Sequence, residues 1–159
     1  MRPNHSIEPT RYARGSCWSL GRLSEPMKAI PYWIQRADFS ATDYDPVEVA
    51  DGVRAFETHD WRRELDLYSE LESAGAECCL PGIGFVDPGG DILHICPNDN
   101  GGAMVHYHFT ASRKLLGLIP VPRSIVETRQ GIHRSVVLEL IGFFFEGRHD
   151  WMVEKLGAA

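Results

Sequence analysis

Residues 83–121 constrain the fold of this chain more than any other stretch. Their side chains alternate with the two-residue period of a strand, and turn-forming segments interrupt the alternation at residues 87–90 (DPGG), 97–102 (PNDNGG) and 110–113 (TASR). Short strands joined in this way pair with their chain neighbours in an antiparallel sheet. The stretch therefore predicts a β-meander whose third main strand covers residues 114–121.

The two-residue period sorts the side chains of this meander onto two faces. One face is apolar and carries Leu93, Ile95, Val105, Tyr107 and Phe109. The opposite face, which we call the His face, carries His94, Cys96, Met104, His106 and His108. Three of the seven histidines and one of the four cysteines thus project from one side of one hairpin. This face groups more side chains that could bind a metal ion or take part in catalysis than any other part of the sequence.

The turns predict how the strands pair on the His face. If the six-residue turn pairs Cys96 with Met104, His94 lies opposite His106. If the next turn has four residues, His106 lies opposite Gly117 on its other side. A glycine beside an imidazole leaves open volume above a sheet. The sequence therefore predicts a shallow hollow around the two central histidines.

A transition-metal site is one interpretation of the His face. Cross-strand neighbours have Cβ atoms about 5 Å apart, so His94 and His106 can reach one ion. Cys96 or His108 would be the third ligand, and this donor set suits zinc, iron or copper better than calcium or magnesium. The chain has no Cys-x-x-Cys or His-Glu-x-x-His motif, and the His face has no carboxylate. A metal-dependent enzyme is therefore an alternative rather than the leading hypothesis.

Two interpretations without a metal are also open. Cys96 is a candidate nucleophile, but His94 lies two residues away on the same strand, where side chains point in parallel and meet poorly. The face is otherwise a half-buried surface covered by the N-terminal segment or by a second subunit. Our leading hypothesis is a non-catalytic binding protein, and its unknown protein partner or small ligand would contact His94, Cys96, His106, His108 and Gly117.

Composition and charge narrow the class of protein. The 159 residues are 43% hydrophobic and 24% charged, which is typical of one globular domain. Residues 29–159 carry a net charge of −9, and a body this acidic repels nucleic-acid phosphates. No apolar run approaches the ~20 residues that span a bilayer, and the N-terminus has no signal-peptide core. Four irregularly spaced cysteines then favour free thiols in the cytoplasm.

The first 26 residues differ from the rest of the chain. They are rich in Arg, Ser, Pro and Gly, which predicts a flexible segment ahead of a single α+β domain over residues 27–159. Residues 3–10 (PNHSIEPT) resemble the peptide read out when translation runs through the recombination site of an integron gene cassette. The resemblance implies a bacterial mobile accessory gene and makes Met27 an alternative start. An ordinary flexible tail is the other interpretation.

One strand and two helices are predicted before the meander. Residues 28–34 favour a strand and residues 38–44 a loop. An Asp-Pro pair opens a short helix over residues 45–55, and residues 58–74 carry the apolar spacing of a second helix. We interpret the acidic outer face of that helix as solvated; it carries Glu64, Asp66, Glu70 and Glu72.

One strand and two helices are predicted after the meander. Residues 124–129 favour a strand because they are rich in β-branched side chains, and residues 135–146 and 150–156 favour helices. Residues 136–145 are apolar almost all round, so this helix is central in the core or is buried by a second copy in a homodimer. The predicted fold is α+β, with an antiparallel meander of four to five strands and helices packed on its apolar face.

Overall fold

The computed structural model of the chain describes residues 28–115 and 119–158. Within them lies one antiparallel sheet, formed by β1 (Ile30–Gln35), β2 (Ala41–Val47), β3 (Gly82–Val86), β4 (Ile92–Pro97), β5 (Gly102–Leu115) and β6 (Ile119–His133). The helices are α1 (Val49–Thr58), α2 (Trp61–Ser73), α3 (Arg134–Phe145) and α4 (His149–Ala158). The α+β class is confirmed, but the sheet has six strands rather than four to five. The flexible segment predicted for residues 1–26 lies outside the described residues.

The helices pack on the face of the sheet that the alternation marks as apolar. Leu93, Ile95, Val105 and Tyr107 are all 0% exposed there. Helix α3 covers them with Val137, Leu140, Ile141, Phe144 and Phe145, which are buried in the same core. The core of one chain thus accounts for most of the apolar content of α3. A homodimer through residues 136–145 stays a prediction, and it concerns only the half-buried side chains of this helix.

The sheet order places β1 between β2 and β3. The loop predicted for residues 38–44 was wrong, because residues 41–47 form β2 on the outer edge of β1. The Tyr44 ring stacks on Tyr32 with centroids 4.5 Å apart, which holds the edge strand in place. Pro46 is tolerated in β2 because an edge strand has backbone N–H positions without a ladder partner. Helix α1 therefore begins at Val49 rather than at residue 45.

Strands β5 and β6 form one long hairpin. The turn predicted at residues 110–113 was wrong, because β5 continues through them and pairs with β6 out to Leu115 and Ile119. The strand predicted over residues 124–129 is confirmed as part of β6, and its β-branched residues give β5 a long partner. As a result His106 lies opposite Thr128 rather than Gly117. Gly117 itself lies outside the described residues.

Helices α2, α3 and α4 start within three residues of their predicted positions. Helix α2 starts three residues later than predicted, because the Asp60 side chain accepts a hydrogen bond from the Arg63 backbone N–H at 3.2 Å and caps it. Helices α3 and α4 confirm the helices predicted over residues 135–146 and 150–156. Among the described residues, none of the helices combines the length and the apolar character needed to cross a membrane.

Candidate functional site

One row of paired residues crosses five strands on the His face. Trp33 pairs with Gly84, Gly84 with His94, His94 with His106, and His106 with Thr128. The Trp33 and His94 rings stack with centroids 5.9 Å apart, and the His94 and His106 rings stack at the same separation. The predicted pairing of the two histidines is confirmed. The row makes a stacked aromatic strip across the middle of the sheet.

Two glycines of β3 allow these rings to lie close to the backbone. A Cβ atom at Gly84 would lie only 2.1 Å from the Trp33 ring, so the indole covers this glycine and reaches towards His94. A Cβ atom at Gly82 would lie 2.8 Å from His94 Nε2 and 3.1 Å from Cys96 Sγ. Side chains at these positions would displace the rings and the thiol, so glycine is required by close approach rather than by backbone angle.

We expect Gly84→Ala to destabilise the protein by about 1–3 kcal/mol, because the new methyl group must push the Trp33 ring off the sheet. The measurement is the urea unfolding midpoint. Gly142→Ala in α3 is the matched control, since its added Cβ meets no other part of the described chain within 4 Å beyond the backbone of its own helix, and alanine favours a helix interior. A Gly84→Ala variant as stable as the parent would show that Trp33 is not held over this glycine.

Three ligand atoms gather beside this strip. One atom each from His94, Cys96 and His106 lies within 4.8 Å of the other two. The Cys96 thiol is 3.8 Å from His94 Nε2 and 3.9 Å from His94 Nδ1. Ligand atoms around a tetrahedral zinc ion are separated by about 3.4–3.6 Å, given Zn–N and Zn–S distances of about 2.1 and 2.3 Å. The three atoms lie farther apart than in an occupied zinc site, so the side chains must rotate to converge on one ion.

A hydrogen bond from β6 orients one of these imidazoles. His106 Nδ1 lies 2.9 Å from the Thr128 hydroxyl oxygen. When the hydroxyl accepts the Nδ1 proton, the lone pair of His106 Nε2 is left free for a ligand. Metal-binding histidines are commonly held by such a bond on the second ring nitrogen. Thr128 therefore supports the cluster without belonging to it.

His108 is separate from this cluster. It pairs with Ile92 on β4 and with Val126 on β6, one row further along the sheet. Its Nε2 is hydrogen-bonded to the Ser124 hydroxyl. The structure thus brings together three of the predicted side-chain ligands, His94, Cys96 and His106, and leaves His108 outside the group.

Burial sets the protonation of the cluster. Desolvation, with a smaller contribution from His106, lowers the pKa of His94 to about 4, so its imidazole is neutral near pH 7. Burial also raises the pKa of the Cys96 thiol to about 12, with a smaller contribution from Cys79. A thiol this hard to deprotonate is a poor nucleophile, because the thiolate is the reactive form. Catalysis through a free Cys96 thiolate is therefore disfavoured.

Asp43 shares the His face of the sheet, but it lies opposite Trp33 on β2, three strands away from His94. Along the described parts of β3 to β6, the side chains that share this face include no Asp or Glu. A hydrolytic metal site usually holds a carboxylate as general base or as an orienting partner. The cluster thus has the donors to bind a metal ion and lacks the usual groups to move a proton around it.

A second set of hydrogen-bonded polar side chains lies on the core side of the sheet. His149 Nδ1 is hydrogen-bonded to the Tyr107 hydroxyl and lies 3.4 Å from Asp91 Oδ2. Asp91 is 9% exposed and also accepts a hydrogen bond from the Thr110 backbone N–H at 3.1 Å. Burial, with the charge of Asp91, raises the pKa of Tyr107. We interpret these contacts as structural, because they hold the start of α4 against the sheet.

Residue patterns did not reveal the neighbours of the histidines. Trp33 comes from β1, far away in the chain, and its contact with His94 depends on strand order. Thr128 comes from β6, and its contact with His106 depends on the register of the long β5–β6 hairpin. The Gly82 and Gly84 pair beside an apolar strand was the available signal for a close approach.

Comparisons of the chain with protein-family models, with curated proteins and with solved structures found no match.

Proposed function

We propose that this chain is a small, non-catalytic accessory protein that binds one transition-metal ion on the His face. The proposal rests mainly on one observation: ligand atoms of His94, Cys96 and His106 lie within 4.8 Å of one another. The small ligand that we expect at this face is then a metal ion.

The donor set favours a particular group of metals. Two imidazoles and one thiolate suit zinc and copper, and they are poor ligands for the hard cations calcium and magnesium. Metal binding replaces the Cys96 proton, so the ion itself overcomes the raised pKa of the buried thiol.

We also propose a cytoplasmic location, where Cys78, Cys79 and Cys96 stay reduced as the free thiols seen in the fold.

Titration of the untagged protein with Zn²⁺ tests the proposal. We expect one equivalent to bind and to stabilise the fold, by about 2.7 kcal/mol when free zinc is 100 times its Kd. With Co²⁺ as the probe, a thiolate-to-cobalt charge-transfer absorption should appear and should be absent from Cys96→Ser. The measurements are metal content after gel filtration, the thermal midpoint and the cobalt absorption spectrum.

The strand itself offers a matched pair of variants. His106→Ala removes a ligand and should abolish the zinc-dependent shift of the midpoint. His108→Ala lies two residues along the same strand, outside the cluster, and should keep that shift. Equal zinc responses of the two variants, or no zinc response of the parent protein, would contradict the proposal.

A metal-dependent enzyme is the second candidate, and one observation favours it. Three protein ligands leave one tetrahedral position open, as in catalytic zinc sites. The absence of a carboxylate on the His face in the described parts of β3 to β6 weighs against it, since catalytic zinc sites usually include a carboxylate as a ligand or as the hydrogen-bond partner of a ligand. Hydrolysis of an activated ester by the zinc-loaded protein, lost in His106→Ala and kept in His108→Ala, would favour the enzyme.

A further inference from the structure

A pocket of about 480 Å³ lies between the end of β1 and the junction of α1 with α2. It is lined by His59 and by side chains of opposite charge, which are Arg36, Asp60, Arg63 and Glu64. None of these residues belongs to the metal cluster of the His face. Whatever binds here is therefore independent of the proposed metal function.

The carboxylate of Glu64 forms the floor of this pocket. The solvated position predicted for Glu64 was wrong, because the residue is only 8% exposed, whereas Asp66, Glu70 and Glu72 of the same helix are exposed. Glu64 Oε1 lies 3.6 Å from Arg36 Nε and 3.7 Å from His59 Nε2. Both distances are too long for good hydrogen bonds. Arg36 and His59 therefore lie beside the carboxylate without satisfying it.

Two atoms in the pocket are buried without a hydrogen-bond partner among the described residues. They are Glu64 Oε2 and His59 Nε2. Leaving a buried acceptor unpaired is costly, and more so when it is charged, so such an atom calls for an unseen donor. A ligand with a donor group that enters the pocket can supply this hydrogen bond.

We propose that this pocket binds a small zwitterion of the α-amino-acid type. The ammonium group of the ligand pairs with the Glu64 carboxylate, and the carboxylate of the ligand pairs with the guanidinium groups of Arg36 and Arg63. The Arg36 side chain is 41% exposed, and Arg63 and Asp60 are also exposed. Two positive charges and one negative charge therefore lie around the mouth, above the buried carboxylate of Glu64. Guanidinium groups bind carboxylates by paired, charge-assisted hydrogen bonds.

The distribution of charge selects against ligands with one charge. A simple anion attracted by the two arginines would face the buried carboxylate of Glu64, and like charges at short range repel. A simple amine would pair with the Glu64 carboxylate but would leave the two arginines without a carboxylate ligand. A zwitterion matches both ends of the pocket.

Isothermal titration with three matched probes tests this inference at pH 7. L-alanine carries both charged groups, propionate lacks the ammonium group, and ethylammonium lacks the carboxylate. We expect L-alanine to bind at least about tenfold more tightly than either of the other two. No binding of L-alanine would mean that water satisfies Glu64, and equal binding of propionate would mean a plain anion site. Equal binding of ethylammonium would remove the role of the arginines, and each of these three outcomes overturns the proposal.

Variants of α2 provide the controls. Glu64→Gln removes the charge that receives the ammonium group and should weaken L-alanine binding at least about tenfold. Glu70→Gln, on the exposed side of the same helix, should leave binding unchanged. If Glu64→Gln fails to fold, Arg63→Ala tests the other end of the ligand, with Arg62→Ala as its exposed neighbour and control. Unchanged binding in both Glu64→Gln and Arg63→Ala would overturn the assignment to this pocket.

Discussion

Phe144→Ala should lower the free energy of unfolding by about 3–5 kcal/mol, the largest effect that we expect from a single substitution. Phe144 is 3% exposed in α3, and its ring meets the fully buried Tyr107 ring edge to face, with centroids 6.2 Å apart. Truncation leaves a cavity between this helix and the sheet, because neither can collapse far without breaking its backbone hydrogen bonds. Urea unfolding followed by circular dichroism measures the loss.

An exposed phenylalanine supplies the control for this variant. Phe39 is 58% exposed, so Phe39→Ala should change stability by no more than about 0.5 kcal/mol. The measurement also shows whether α3 lies in the core of one chain or at a dimer interface. If α3 packs within one chain, the unfolding midpoint of Phe144→Ala does not depend on protein concentration. If α3 lies at a dimer interface, that midpoint depends on protein concentration. A variant as stable as the parent would contradict the packing of α3 on the sheet.

The metal-free protein should lose about 2–3 kcal/mol of stability as the pH falls from about 6.5 to about 4.5. Burial lowers the pKa of His94 from 6.5 to about 4 in the folded protein. Between these two values the unfolded chain binds a proton that the folded chain does not, so protonation favours unfolding. The contribution of His94 is complete above pH 6.5 and is lost progressively below it. The measurement is a series of urea unfolding curves in a chelating buffer.

Substitution of the titrating group isolates its contribution. His94→Gln cannot gain this proton, so its stability should change little over the same range. His108→Gln keeps His94 and should retain the acid-dependent loss of the parent. The nearest groups that face His94 are His106 from β5, Cys96 from its own strand and Trp33 from β1. A parent protein whose stability is flat between pH 6.5 and 4.5 would show that His94 is solvated rather than buried.

Local sequence patterns were sufficient for the centre of the His face. The two-residue alternation separated Leu93 and Ile95 from His94 and Cys96. Leu93 and Ile95 are fully buried and His94 is half-buried, as this separation predicts, whereas Cys96 is buried although it lies on the His face. The turn over residues 97–102 then predicted the pairing of His94 with His106, which the structure confirms. Both properties are local, because the pleat determines the facing of a side chain and the turn length determines the register of a hairpin.

The pairing of β5 with β6 depends on the length of these two strands. The sequence pattern placed a turn after Phe109, whereas β5 continues to Leu115 because β6 offers it a long and continuous partner. Only that extension brings Thr128, rather than Gly117, next to His106. Backbone groups in a sheet gain from every additional pair, so a long partner overrides a weak turn signal.

By itself the sequence determined the α+β class, the apolar face of the meander and the His94–His106 pair, since these follow from the period of side chains and the length of one turn. The tertiary structure alone decided that Trp33 covers Gly84, that His108 stands apart from the cluster, and that Glu64 is buried against Arg36 and His59. Each of these depends on which distant elements lie side by side. Strand order and helix placement arise from the packing of the whole core, which a local pattern of residues does not encode.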